Sequence, residues 1–165
     1  MVRKEKPKSE AKAFLAVRMR GSYGVRWKTE RTLEQLRLLR RHHAAVFKAT
    51  TAFTGMLREA GNYIAWGPAQ ADVLEAMLSK RGEVTGGKRL DAAYLAKNSK
   101  FKTLAELAGA LAKGEASLKD VNGLKPVFRL QPPKGGRAPV KKAGERFNVI
   151  GFQGVKVNAL VQRML

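Results

Sequence analysis

The sequence contains no cysteine, which removes disulfides, zinc–thiolate centres and thiol nucleophiles together and fits a reducing compartment. Histidine is almost absent too. His42 and His43 are the only two, and adjacent side chains do not share a helix face, so they make a poor metal pair. No carboxylate, serine or tyrosine can be set against them from sequence, so acid–base catalysis has little to build on. Long apolar runs are missing, none approaching the roughly 20 residues that span a bilayer. Met1 to Lys12 are mostly polar and charged, contain Pro7 and have no apolar stretch behind them, which leaves no secretory signal visible. The expectation is a cytoplasmic chain with no membrane partner, no small-molecule substrate, no metal and no cofactor.

Acidic residues are the scarcest charge. Asp and Glu number 13 against 33 Lys and Arg, a formal net charge of +20 over 165 residues. A small domain so charged repels itself, and phosphates that give up their counterions to Lys and Arg relieve that repulsion. Nucleic acid is the partner this implies. Apolar residues still make up 44% of the chain, enough to fold rather than remain a basic tail. The length suits one domain, or a small core with an extension.

Residues 1–12 hold Arg3, Lys4, Lys6, Lys8 and Lys12 against Glu5 and Glu10, a flexible basic arm or a frayed terminus. Phe14 to Arg20 alternates as a strand, with Leu15, Val17 and Met19 on one face and Phe14, Ala16, Arg18 and Arg20 on the other. Thr29 is placed to cap a helix whose stripe is Leu33, Leu36 and Leu39. A short strand over Ala44–Lys48 follows, then a helix opened by Thr50 or Thr51 and a third strand over Tyr63–Trp66. Strand, helix, strand, helix, strand suits a small antiparallel sheet with both helices on one face. Alternation then puts Arg18 and Arg20 on an open sheet face available to RNA, or simply wet.

Beyond Pro68 the pattern becomes mainly helical: about Ala69 to Lys80, Asp91 to Lys97, Leu104 to Lys113 behind a Thr103/Glu106 capping box, and Val155 to Met164. Val127 to Leu130 is a strand candidate, halted by Pro132 and Pro133. From Gln131 to Gly154 glycine and proline alternate with cations, which reads as a long basic loop.

Two motifs come close to known chemistry. Gly82 to Lys88 has the spacing of a phosphate-cradling loop, but Arg89 stands where a Ser or Thr hydroxyl would hold Mg²⁺, and the stretch follows a helix. A basic turn is the simpler reading. Gly21 to Gly24 has the GXXG spacing of KH domains, yet it follows a strand where that loop joins helices. Trp66 lies in an apolar run and reads as core, whereas Trp27 could pack or stack on a base.

Val17-Arg18-Met19-Arg20-Gly21, Thr32 to Leu38, Gly55-Met56-Leu57 and Tyr63 to Gly67 together resemble the large-subunit ribosomal protein L-thirty family in its longer archaeal and eukaryotic form. Gly86 to Leu90, Leu124 to Pro133, and Val157 to Leu160 with Met164-Leu165 keep that family's order. Three positions depart from its pattern: Gln131 in place of a histidine, Thr54 in place of a basic residue, and Phe152-Gln153-Gly154 as a variant turn. The resemblance implies an α+β fold: a ferredoxin-like core over residues 13–67 and, over 68–165, a mainly helical extension of the same domain carrying basic loop 131–154 and a C-terminal helix. It also implies no catalysis, and partners comprising large-subunit rRNA of the 23S type, with 5S rRNA as a candidate neighbour, and adjacent ribosomal proteins.

The candidate RNA-binding residues fall into groups. Arg37, Arg40, Arg41, His42 and His43 gather near a helix end, where the histidines could contact RNA or complement the helix dipole, with Lys48 and Arg58 nearby. Lys134, Arg137, Lys141, Lys142 and Arg146 lie on the long loop, and Arg18, Arg20, Lys88 and Arg89 complete the set. Two rival readings remain: a free nucleic-acid chaperone or coating protein, which composition permits, and an RNA-modifying or nucleotide-hydrolysing enzyme, which only the near-miss phosphate loop encourages.

Overall fold

In the computed structural model, residues 12–135 and 149–165 are described. Three strands form the centre: β1 (Ala13–Arg18), β2 (His43–Lys48) and β3 (Ile64–Pro68). β1 lies in the middle, antiparallel to both, with Leu15 opposite Val46 on one side and Gly67 on the other. α1 (Trp27–Gln35) and α2 (Thr51–Glu59) connect them. The remaining elements are α3 (Ala71–Arg81), α4 (Ala92–Asn98), α5 (Leu104–Ala112), β4 (Phe128–Arg129), β5 (Gly151–Phe152) and α6 (Lys156–Gln162). β4 adds antiparallel to β2 and β5 adds parallel to β3, giving the order β4-β2-β1-β3-β5. The sheet is thus mixed where an antiparallel one was expected.

Both faces of the sheet are covered. Phe14, Ala16, Ala45, Ile64 and Trp66 pack against Leu33, Leu36 and Leu38 around α1 and against Leu57 and Ala60 around α2. Leu15, Val17, Met19, Ala44 and Ala65 face the second layer, where α3 contributes Val73, Leu74, Met77 and Leu78, α5 contributes Leu107 and Leu111, and α6 contributes Val157 and Val161. Burial on two sides explains why β1 is almost wholly apolar. It also corrects the expected open cationic face. Arg18 does share a side with Phe14 and Ala16, but that side was expected to lie away from the two connecting helices, whereas α1 and α2 cover it and leave Arg18 2% exposed.

Helix boundaries follow local chemistry. Thr50 accepts from the Phe53 amide to start α2, and the Thr103/Glu106 capping box starts α5. At α1 the expected Thr29 cap is wrong: Arg26 holds that position, and Thr29 lies buried inside the first turn. The inward stripe is therefore Thr29, Leu33 and Leu36, spaced i, i+4, i+7, so Leu39 falls beyond the helix and is 55% exposed. Arg37 turns into the left-handed region at φ 57°. Its amide donates to the Glu34 carbonyl at 2.8 Å, and the Leu38 amide donates to the Leu33 carbonyl at 2.8 Å. These two bonds close a Schellman motif whose usual glycine is an arginine.

The second layer is fastened to the sheet by Asn158, 2% exposed. Its side-chain amide donates to the Pro68 carbonyl at 2.9 Å and accepts from the Gln70 amide at 3.2 Å. Gly67 and Gly154 approach so closely that no Cβ fits at position 67. The expected loop 131–154 is interrupted at both ends. Gln131 and Lys134 donate their amides to the Met164 and Arg163 carbonyls, both at 2.9 Å, and Gly151–Phe152 pairs with Ala65–Trp66 as β5. A two-residue strand beginning with glycine carries no alternation to read.

Candidate nucleic-acid interface

Two loops meet over the end of β1. One joins β1 to α1, and the other joins α1 to β2. The Arg18 guanidinium binds both. Its Nη1 donates to the carbonyls of Leu38 (2.6 Å) and Leu39 (2.8 Å) in the second loop. Nε donates to the Arg20 carbonyl at 2.9 Å, and Nη2 to the Gly21 carbonyl and the Ser22 hydroxyl at 3.1 Å each. Five bonds match the five N–H donors of an arginine. Burial lowers the Arg18 pKa, with Glu30 and Tyr63 opposing that shift. Arg18 was expected on the RNA surface, and the structure corrects this: its donors are engaged inside the fold, where it holds the loops that carry other cations.

Those loops display the basic cluster. Arg37, Arg40 and Arg41 are exposed, while Arg20 is half-buried. The Arg41 guanidinium lies against Gly21, so the two loops also touch outside the Arg18 clamp. Lys48 is exposed at the end of β2, and with Arg37 and Lys119 it edges a groove of about 350 Å³ floored by Ala45 and Phe47. Arg58 is exposed on α2, in the same layer as α1.

His42 and His43 are half-buried. His42 has φ 66°; its amide donates to the Arg18 carbonyl at 2.7 Å and its carbonyl accepts from the Leu130 amide at 3.1 Å, tying β1 to β4. His43 opens β2 opposite Arg129. Desolvation pushes its pKa down, and Arg129, Arg40 and Arg18 push it further, so the ring is neutral at pH 7. The expected service to the α1 dipole is corrected: α1 ends at Gln35, more than a turn away in sequence.

The remaining candidates lie apart. Lys88 and Arg89 are exposed on a hairpin-like turn between α3 and α4, where the Val84 amide donates to the Lys88 carbonyl at 2.8 Å and the backbones of Glu83 and Arg89 pair antiparallel. Gly86 and Gly87 both have positive φ there, so the phosphate-loop spacing belongs to a turn. Beside it, Lys125 reaches Glu83 at 3.0 Å and its hydrogen bond holds that carboxyl below its ordinary value. Lys134 is exposed, and its carbonyl accepts from Arg163 Nη2 at 2.6 Å. Arg137, Lys141, Lys142 and Arg146 lie outside the described residues.

Sequence reasoning passed over Arg129, and it left Tyr23 unremarked inside the Gly21–Gly24 loop. Both are exposed. No periodicity marks a residue in a two-residue strand or an irregular loop.

An α+β core with helices on both faces of its sheet that presents cations from pinned loops defines a polyanion-binding scaffold. The family model for ribosomal protein L30p/L7e matches residues 14–64, the unit from β1 into β3. "Large ribosomal subunit protein uL30" of Methanobrevibacter smithii is 40% identical over 152 residues, covering 92% of this chain and 99% of that protein. The proteins of the same name from Archaeoglobus fulgidus and Thermofilum pendens are each 40% identical, covering 92% of this chain and 99% and 98% of theirs. The chain belongs to the ribosomal protein L30p/L7e family.

Proposed function

We propose that the chain is a structural constituent of the large ribosomal subunit, where it binds and positions 23S-type rRNA and touches neighbouring ribosomal proteins. Its work is placement without turnover. Fixed cations neutralise phosphates where rRNA segments approach, and the folded core sets the distances between them.

The observation that carries the reading is the display of Arg37, Arg40 and Arg41 from a turn held by Arg18. Loops ordered before binding lose less entropy when RNA arrives. His42, His43, Lys48 and Arg58 extend this surface, with Arg20 beside Arg18 at its edge. A second group comprises Lys134, Arg137, Lys141, Lys142 and Arg146, and a third comprises Lys88 and Arg89 on the opposite layer. Residues 13–67 supply the RNA-binding core, 68–165 extend the same domain, and the first twelve residues act as a basic arm.

Sedimentation of cell extracts through a sucrose gradient tests this. The chain should migrate with large subunits through moderate salt, whereas a loosely held chaperone or coating protein washes off.

A further inference from the structure

Tyr23 (103% exposed) and Trp27 (68%) are the two most exposed large apolar side chains on the described surface. A single exposed ring is ordinary, but two beside a run of cations suit a nucleic-acid contact. Both belong to the β1–α1 connection, Tyr23 in the loop and Trp27 on the first turn of α1. Residues 20–31 hold Arg20, Arg26, Lys28 and Arg31 against Glu30 alone. The Arg31 guanidinium lies 5.9 Å from the Trp27 ring centroid, a cation–π distance. Arg18 fixes the stem of this loop through the Gly21 carbonyl and the Ser22 hydroxyl, immediately before Tyr23.

We propose that Tyr23 and Trp27 form a stacking site for unpaired RNA bases, with Arg31 and the flanking cations taking the adjoining phosphates. The site rests on the rRNA-binding reading and deepens it. Every base has a π-face, so stacking on exposed rings grips single strands with little regard to sequence, and nearby cations follow the backbone. A duplex keeps its bases stacked inside and offers only phosphates. The surrounding positive charge favours a polyanion over an apolar protein surface, which would have to desolvate these cations.

Tryptophan fluorescence of the full-length protein provides the test, because Trp66 is buried at 2% exposed and Trp27 is not. Single-stranded oligoadenylate should quench Trp27 emission, while heparin, a polyanion without bases, should bind without quenching it. Replacing Tyr23→Ala and Trp27→Ala together should weaken oligoadenylate binding by about tenfold or more and leave heparin affinity unchanged. Blue-shifted emission from the remaining Trp66, buried in the fold, then verifies that the double variant is folded. Equal weakening on both polymers, or none on oligoadenylate, overturns the stacking site. Unchanged RNA binding with failed incorporation into large subunits overturns it in favour of a protein partner. A wild-type chain that binds no RNA overturns the rRNA reading and this site with it.

Discussion

The Arg18 guanidinium donates to the Leu38 carbonyl at 2.6 Å, joining the end of β1 to a residue twenty positions later in the turn after α1. Arg18→Met keeps much of the apolar stem and orphans several carbonyls at once. The expected cost is about 2–4 kcal/mol, since bonds from a charged donor are worth roughly 1.5–3 kcal/mol each and water will reclaim some of the acceptors. Arg18→Lys should recover only part, because an ammonium has three donors and no planar fork. Urea midpoints at a common slope measure both.

Arg37 occupies a position built for glycine. Arg37→Gly removes the cost of a left-handed backbone at φ 57° and should raise stability by up to about 1 kcal/mol. The same change should weaken rRNA binding by removing an exposed cation. Opposite movement of melting temperature and RNA affinity is the expected result, and it would show an arginine retained for RNA binding at the expense of stability.

His43 makes stability depend on pH. Its folded pKa lies below the ordinary 6.5 because burial and three arginines disfavour the charged ring. The unfolded state therefore takes up the proton first. The contribution is complete above about pH 6.5 and is lost as pH falls from there through the lower folded value. Urea melts of the wild type and His43→Gln between neutral and mildly acidic pH check this, and the variant should show the shallower decline.

Gly67→Ala should cost about 1–3 kcal/mol by overpacking, because a Cβ there would collide with the Gly154 backbone and crowd Val157 Cγ1 at 3.1 Å. The collision would separate β3 from the segment leading into α6. Thermal unfolding measures the destabilisation.

Sequence patterns revealed elements whose cause is local. Thr103 and Glu106 form a capping box within four residues, and the alternation of Leu15 and Val17 against Phe14 and Ala16 survives in the two cores. Features that need a distant partner were not legible. Arg18 was grouped with Phe14 and Ala16 as the structure has it, but that face was expected open, and its burial depends on carbonyls at Leu38 and Leu39. The end of α1 was placed too late, past Leu39, because a Schellman turn built on Arg37 lacks the glycine that would announce it. β5 exists only because Ala65 and Trp66 supply its partners. The basic cluster near Arg37–Arg41 could be named as a group from sequence, whereas the clamp that holds its turn could not.

The central proposal is that pinned cations, and not charge in general, hold the rRNA. The most direct test is the salt dependence of rRNA binding for the wild type and the Arg37→Ala, Arg40→Ala, Arg41→Ala triple variant. If these three cations bind phosphates as proposed, removing them should flatten the log–log slope by about two units while urea stability is retained. A triple variant with the wild-type slope and affinity would contradict the claim.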